Sequence, residues 1–185
     1  ITVSGQLSIR WAEQGINRYL NKILETTNKD YVIAIDTDSL YINFEDFVNK
    51  FYSDQSTETI VQILDKICTE KLEPLVERNY KQLQQLMNAP QQKMVMKREV
   101  IADKGIWTGK KHYILNVHNS EGVQYAEPKL KIVGIEAVRS STPGVCRKMI
   151  VDTLKVIMQS DEKTVQKYIA DLRTRSEERR VGKEC

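Results

Sequence analysis

Cysteine is scarce in this sequence: Cys68, Cys146 and Cys185 are odd in number, widely separated, and part of no Cys-x-x-Cys or Cys/His cluster. That pattern argues against a disulfide framework and against a zinc site, and it fits a reducing compartment. Long apolar runs are missing as well, since no stretch approaches the roughly 18 residues of a membrane span. The opening Ile1-Thr2-Val3-Ser4-Gly5 is not a basic region followed by an apolar core. The expectation is a soluble, untargeted chain with no membrane partner, and the lack of an initiator Met points to an N-terminus that is a cut. Neither sign of charge dominates: 28 Lys and Arg against 25 Asp and Glu leave a formal charge of +3. This permits a polyanionic partner without marking a dedicated nucleic-acid binder. No internal repeat is visible.

What is present suits a globular chain. With 185 residues, 41% hydrophobic and 29% charged, it has the material for one medium domain or two small ones. From Gln6 to Leu24, Ile9, Ala12, Ile16, Tyr19, Leu20 and Ile23 recur at helical spacing and predict a helix with one buried stripe, in which Trp11 packs as core. Tyr31 to Ile35 and Leu40 to Phe44 are β-prone runs that predict a hairpin with Asp36, Thr37 and Asp38 at its tip. Ser56 is placed to cap a long helix over Glu58 to Met87, which Pro74 should kink or divide. Met94 to Glu136 reads as an antiparallel meander with turns at Asp103-Lys104-Gly105 and Asn119-Ser120-Glu121-Gly122. Ser141-Thr142-Pro143 reads as a cap and first turn leading a helix to about Gln159, and Asp161 as the start of another. The class predicted is α+β, with helices packed on an antiparallel sheet and further helices after it.

Asp36 and Asp38 are the first candidates for chemistry. Two carboxylates one residue apart at a hairpin tip project close together, and they are hard oxygen ligands suited to Mg²⁺. Taken alone, a D-x-D triplet is better explained as a solvated turn, because Asp is a turn former. A rigid hairpin made of the apolar runs on either side would favour the metal site.

The segment AIDTDSLYI resembles the D-T-D-S motif of family B DNA polymerases, and MKREVI, GIWTGKKHYILNV, YAEPKLKIVGIE and SSTP resemble, in the same order, successive segments of the T-even-type tailed-phage members. The likeness runs from about Gln6 to Leu172. It implies residues 1–138 as the C-terminal part of a polymerase palm with an antiparallel sheet, and residues 139–174 as the start of the thumb. Two-metal nucleotidyl transfer from a dNTP to a primer 3′ end follows, with two Mg²⁺ ions, or Mn²⁺ in their place. By the same resemblance Asp38 ligates metal, Asp36 serves local charge and hydrogen bonding with weaker ligation, and Glu99 is a carboxylate near the site. Thr37 and Ser39 lie at the nucleotide. Lys110, Lys111, His112 and Tyr113 match the segment that holds primer-template DNA, with His112 standing where the family usually carries Arg. Ser140 to Pro143 matches the start of the thumb, although capping explains those residues fully.

The partners implied are primer-template DNA, dNTP, the rest of a polymerase chain and, through regions outside this sequence, a sliding clamp. The cytoplasm of an infected bacterial host is the implied location. The family's other aspartate motif and its fingers lysine motif are absent from these residues, so the chain by itself is expected not to polymerise DNA. Two other classes stay open on the residues alone: a non-catalytic DNA-binding or accessory module, and a D-x-D glycosyltransferase, which would give no reason for the later ordered segments. Residues 175–185, RSEERRVGKEC, resemble the translation of a short-read sequencing adapter, which implies a non-native tail.

Overall fold

The computed structural model describes residues 2–181, with side chains from Val3 to Thr174. Helix α1, Thr2–Leu24, begins earlier than its apolar stripe, and its first turns are exposed, with Val3 77% accessible. From Ile9 onward the stripe is buried as the spacing requires: Ala12, Ile16, Leu20 and Leu24 join Tyr31, Val32, Phe47, Val61, Leu64, Val76, Tyr80 and Ile101 in one cluster. Each fully buried Leu or Ile there contributes about 1.5–3 kcal/mol. Gly15 sits on the same face, and its lack of a Cβ is a packing requirement. A Cβ would collide with Asn79 Nδ2 and lie 2.8 Å from Asn79 Cγ.

Strands β1, Val32–Asp36, and β2, Ser39–Ile42, pair antiparallel as predicted, with Asp36 opposite Ser39 and an irregularity between Val32 and Ala34. A short helix that the periodicity did not announce follows, α2, Glu45–Phe51. The Asn43 side chain accepts the Glu45 amide at 2.7 Å, Glu45 and Asp46 occupy the first turn, and the Phe47 ring packs 5.1 Å from Phe51. Acidic residues after a capping Asn were the available signal.

The long helix is not divided at Pro74 but changes type just before it. Helix α3, Thr57–Ile67, starts with Ser56 Oγ accepting the Thr59 amide at 3.3 Å, and α4 covers Glu73–Leu86. Between them Cys68–Leu72 forms a π-helical turn in which the Glu73 amide donates to the Cys68 carbonyl five residues back. Proline cannot donate to the carbonyl four residues before it, so the helix widens there without a break. Burial pushes the Cys68 thiol up to about 11, which keeps it protonated and inert.

The second sheet has the order β3-β4-β5, with β3 Val100–Gly109, β4 His112–Ser120 and β5 Val123–Val133. Both sheets are small and antiparallel and the class is α+β, as the sequence predicts. The turn at Glu121-Gly122 is where it was expected, with φ of +50° and +87° suited to a two-residue hairpin loop. The turn expected at Asp103-Lys104-Gly105 is absent: these residues lie inside β3, and the chain reverses at Lys110-Lys111. Gly105 lies within β3, and a Cβ there would come within 2.7 Å of the Trp107 ring and 2.9 Å of Leu115, so the strand needs a glycine at this point. Strand β3 also starts later than the run from Met94 suggested, since residues 91–99 are irregular.

A 3₁₀ turn, Glu136–Val138, precedes helices α5, Gly144–Gln159, and α6, Glu162–Val181. Neither Ser141 nor Thr142 caps α5; Pro143 holds the N-cap position and accepts the Arg147 amide at 3.0 Å. Asp161 does start α6, its Oδ1 accepting the Thr164 amide at 3.1 Å, and these hydrogen bonds with Thr164 lower its pKa. The backbone of residues 175–181 continues α6, and the remainder of the tail, residues 182–185, lies outside the described residues.

The chain forms two compact units, the first joining the residues up to Ile101 with His118–Ala126, the second Ala102–Val117 with the chain from Glu127 onward. In the first, Arg98 is the internal fastener. Its side chain is only 10% exposed, pairs with Asp65, and donates to Asn119 Oδ1 at 2.9 Å and to the Glu99 carbonyl at 3.2 Å, while its amide donates to Glu73 Oε1 at 3.1 Å. In the second, Tyr113, Ile114, Leu115, Asn116 and Val117 are all buried along β4, and Lys104 Nζ donates to the Met158 carbonyl at 2.8 Å.

Arg98→Ala strips a buried charge from Asp65 and is expected to cost about 3–5 kcal/mol. Arg98→Lys should recover only part of this, because one ammonium cannot serve the same fork of acceptors. Urea denaturation of both variants checks it.

Candidate functional site

The predicted acidic tip exists as a tight two-residue turn. Asp36 ends β1 and is half-buried, Ser39 opens β2 and is half-buried, and Thr37 and Asp38 between them are exposed. The Asp38 amide donates to the Asp36 carbonyl at 2.7 Å, and Thr37 Oγ1 donates to Asp36 Oδ1 at 3.2 Å. The structure therefore brings all four of these residues together. Thr37 has φ of +54°. That is the left-handed region, costly for a β-branched side chain and persistent only where the surroundings impose it.

The imposing surroundings lie at the other end of the hairpin. Asn17 Oδ1 on α1 accepts the amides of both Tyr31, at 2.9 Å, and Val32, at 3.1 Å. One turn later Asn21 takes the Lys29 amide at 3.0 Å and gives its own amide protons to the Lys29 carbonyl at 2.7 Å. The Asn43 amide closes the base by donating to the Tyr31 carbonyl at 2.8 Å. Tyr31 and Val32 are buried and Ile35, Leu40 and Ile42 pack against the core, whereas Ile33 on the opposite face is 52% exposed. The hairpin is thus covered on one face and open to solvent on the other.

Glu99 is exposed and stands just before β3, on the irregular segment, not within a strand. Its backbone is fixed: the carbonyl accepts the Glu121 amide at 2.7 Å as well as the Arg98 guanidinium. Among the described residues no group of three or more His, Cys, Asp or Glu is arranged to hold a metal ion. Asp36, Asp38 and Glu99 are accordingly not drawn into one three-carboxylate cluster. Two carboxylates at one tip still match Mg²⁺, which keeps several waters and is commonly held by one or two carboxylates plus substrate phosphates. The cleft lined by Tyr19, Glu70, Lys71, Pro74, Glu77, Arg78 and Lys81 contains none of the candidate metal-, nucleotide- or DNA-binding residues.

In the second unit, Lys110 and Lys111 form the β3–β4 turn, both exposed, with Lys111 at φ +61°. His112 is half-buried with Nδ1 2.8 Å from the Lys110 carbonyl, and Tyr113 is buried with its ring 6.4 Å from that of Trp107. Two cations face solvent, while the aromatic is part of the packing beneath them. Sequence reasoning passed over two residues here, Gly134 and Arg139. Gly134 has φ +73° and no room for a Cβ against the Lys111 carbonyl, and Arg139 reaches His112. A lone Gly after a strand was the signal for the first; the second had none.

Comparison with known proteins follows this geometry. The chain is 39% identical over 172 residues to a DNA-directed DNA polymerase of Escherichia phage RB69, covering 88% of this chain and 19% of that protein. It is 36% identical over 178 residues to a DNA-directed DNA polymerase of Enterobacteria phage T4, covering 91% of this chain and 20% of that protein. The chain therefore spans about a fifth of the length of the curated relatives it matches. No protein-family model matches it.

Asn17→Ala leaves two buried backbone amides without an acceptor and is expected to destabilise the first unit by about 1–3 kcal/mol. Amide hydrogen exchange should quicken at Tyr31 and Val32 first, and unchanged protection there would show that Asn17 does not hold the hairpin.

Proposed function

We propose that this chain is a segment of a DNA-directed DNA polymerase of the T-even phage type, extending a primer 3′ end on a template with dNTPs in the infected bacterial host. The observation that carries the reading is the similarity to two such polymerases across about nine tenths of the chain. The left-handed Thr37 agrees with it, because backbone outliers held by their surroundings cluster at functional sites.

In this reading residues 1–138 contribute to the palm and residues 139–174 begin the thumb. Asp38, exposed at the tip, and Asp36 beside it hold Mg²⁺, with Mn²⁺ as a substitute and Glu99 as a further acidic group. When bound, the metal supplies Lewis-acid stabilisation of charge on the α-phosphate and the pyrophosphate leaving group. The remaining work belongs to the protein. Asn17 and the core fix the hairpin so that the two carboxylates are presented at a constant spacing, the preorganisation on which such sites depend. Thr37 orients the Asp36 carboxylate through its hydroxyl, and Thr37 and Ser39 flank the triphosphate. Lys110 and Lys111 neutralise primer-template phosphates, with His112 and the ring of Tyr113 supporting the same turn. The rest of a polymerase chain, and a sliding clamp engaged elsewhere, complete the machine.

In a full-length polymerase carrying this segment, Asp38→Ala should lower incorporation by at least about 10²–10³-fold, the scale for removing one preorganised electrostatic group. Duplex affinity should change little. Incorporation that persists in Asp38→Ala would remove the metal role and leave DNA binding without catalysis as the function of the chain. Lys111→Ala should weaken primer-template binding regardless of sequence and reduce the salt dependence, log K against log[salt], by about 0.9.

A further inference from the structure

The cleft between α1 and α4 shares no residue with the acidic tip or the lysine turn. Its volume of about 420 Å³ is within the range of small-molecule sites. Tyr19 lines it from α1, Lys71 from the π-helical turn, and Pro74, Arg78 and Lys81 from α4. These last four residues recur at three and four along one unbroken helical run, the spacing that puts side chains on a common face. Single π-helical turns inside α-helices are rare and frequently occur at functional sites.

The charges of the lining are unevenly used. Both of its carboxylates are already matched: Glu77 Oε1 lies 2.8 Å from Lys81 Nζ, and Glu70 Oε1 lies 3.9 Å from Lys66 Nζ. The donors are different. Among the described residues the Lys71 ammonium, the Arg78 guanidinium and the Tyr19 hydroxyl have no hydrogen-bond or ion-pair partner. The cleft therefore offers two unmatched positive charges and a hydroxyl proton, and no unmatched negative charge. An occupant has to be an anion rich in acceptors. A carboxylate presents two oxygens, which one guanidinium fork takes up, whereas a phosphate monoester presents three strong acceptor oxygens and nearly two negative charges, enough for all three donor groups. The volume exceeds what a phosphoryl group fills, and the Tyr19 ring and Pro74 offer apolar contact to the body of the molecule that carries it.

We propose that this cleft binds a small phosphate monoester, with Arg78 and Lys71 holding phosphoryl oxygens and the Tyr19 hydroxyl donating to the third. The lysine pairings of Glu77 and Glu70 keep those carboxylates from repelling the ligand. The site stands on these residues alone and does not depend on the polymerase reading.

Calorimetric titration of the full chain with adenosine monophosphate, inorganic phosphate and adenosine tests this. The monophosphate should bind at one site, tighter than inorganic phosphate, and adenosine should not bind. Arg78→Gln and Lys71→Gln should each weaken binding by about tenfold or more, the scale for a charge-assisted hydrogen bond, and Tyr19→Phe by about two- to tenfold. Lys93→Gln, an exposed cation outside the cleft, should leave affinity unchanged. Equal losses in Lys93→Gln and Arg78→Gln would reduce the binding to general attraction by a basic chain and overturn the site. Monophosphate bound no tighter than inorganic phosphate would overturn the ester. No monophosphate binding, with Arg78-dependent binding of a single-stranded oligonucleotide, would overturn the small-molecule assignment and give these cations to nucleic acid. Circular dichroism of each variant separates these outcomes from loss of fold.

Discussion

A single side-chain oxygen ties the candidate site to the rest of the first unit. Asn17 Oδ1 accepts the amides of Tyr31 and Val32, the residues at which the chain enters the hairpin. An unpaired buried amide is costly, so the hairpin has one favourable seat against α1. The apolar residues Ile35, Leu40 and Ile42 then have a fixed surface to pack on, and the acidic tip is carried outward as a rigid extension of the helix. Without that seat the same four-residue turn would be a loose loop, and its carboxylates would have no constant relation to anything else.

Arg98 performs the corresponding task for the later elements of that unit. Its guanidinium spans Asp65 on α3, the Asn119 side chain at the β4–β5 turn and the Glu99 carbonyl, and its amide reaches Glu73 at the start of α4. Charge buried in this way is tolerated because three of the guanidinium's donors meet acceptors, one of them the Asp65 carboxylate, although Nε is buried without one. The π-helical turn at Cys68–Leu72 fits the same need: it absorbs Pro74 while letting α3 and α4 continue as one packed body. Glu99 owes its fixed backbone to this network and to the tight turn at Glu121-Gly122.

The cationic surface of the second unit is assembled by backbone economy. Lys111 in a left-handed conformation turns the chain, Gly134 lets the later segment come within contact distance, and His112 spaces Arg139 from the lysines. Tyr113 lies buried beside Trp107 and stiffens the strand that follows the lysine turn. Acidic tip and cationic turn are thus each built on a strand reversal whose geometry is enforced from beneath.

Local pattern was enough to determine much of this protein. The stripe of α1, the tip of the hairpin from Asp36 to Ser39, the Ser56 cap, the irregularity of the long helix before Pro74, the Glu121-Gly122 turn and the Asp161 start of α6 are effects of close neighbours in the chain, where spacing and capping chemistry act directly. The similarity of successive segments carried the functional reading in the same way, residue by residue. Tertiary structure alone decided the rest. Gly105 is a glycine inside a strand because Trp107 and Leu115 leave no space for a side chain there. Gly15 is required because Asn79, 64 positions away in the chain, packs against it. Arg98 is buried because four acceptors converge on it, and Arg139 meets His112 because a 3₁₀ turn reverses the chain. Each of these depends on contacts between residues distant in sequence, and no periodicity or local propensity records which distant atoms will share a volume.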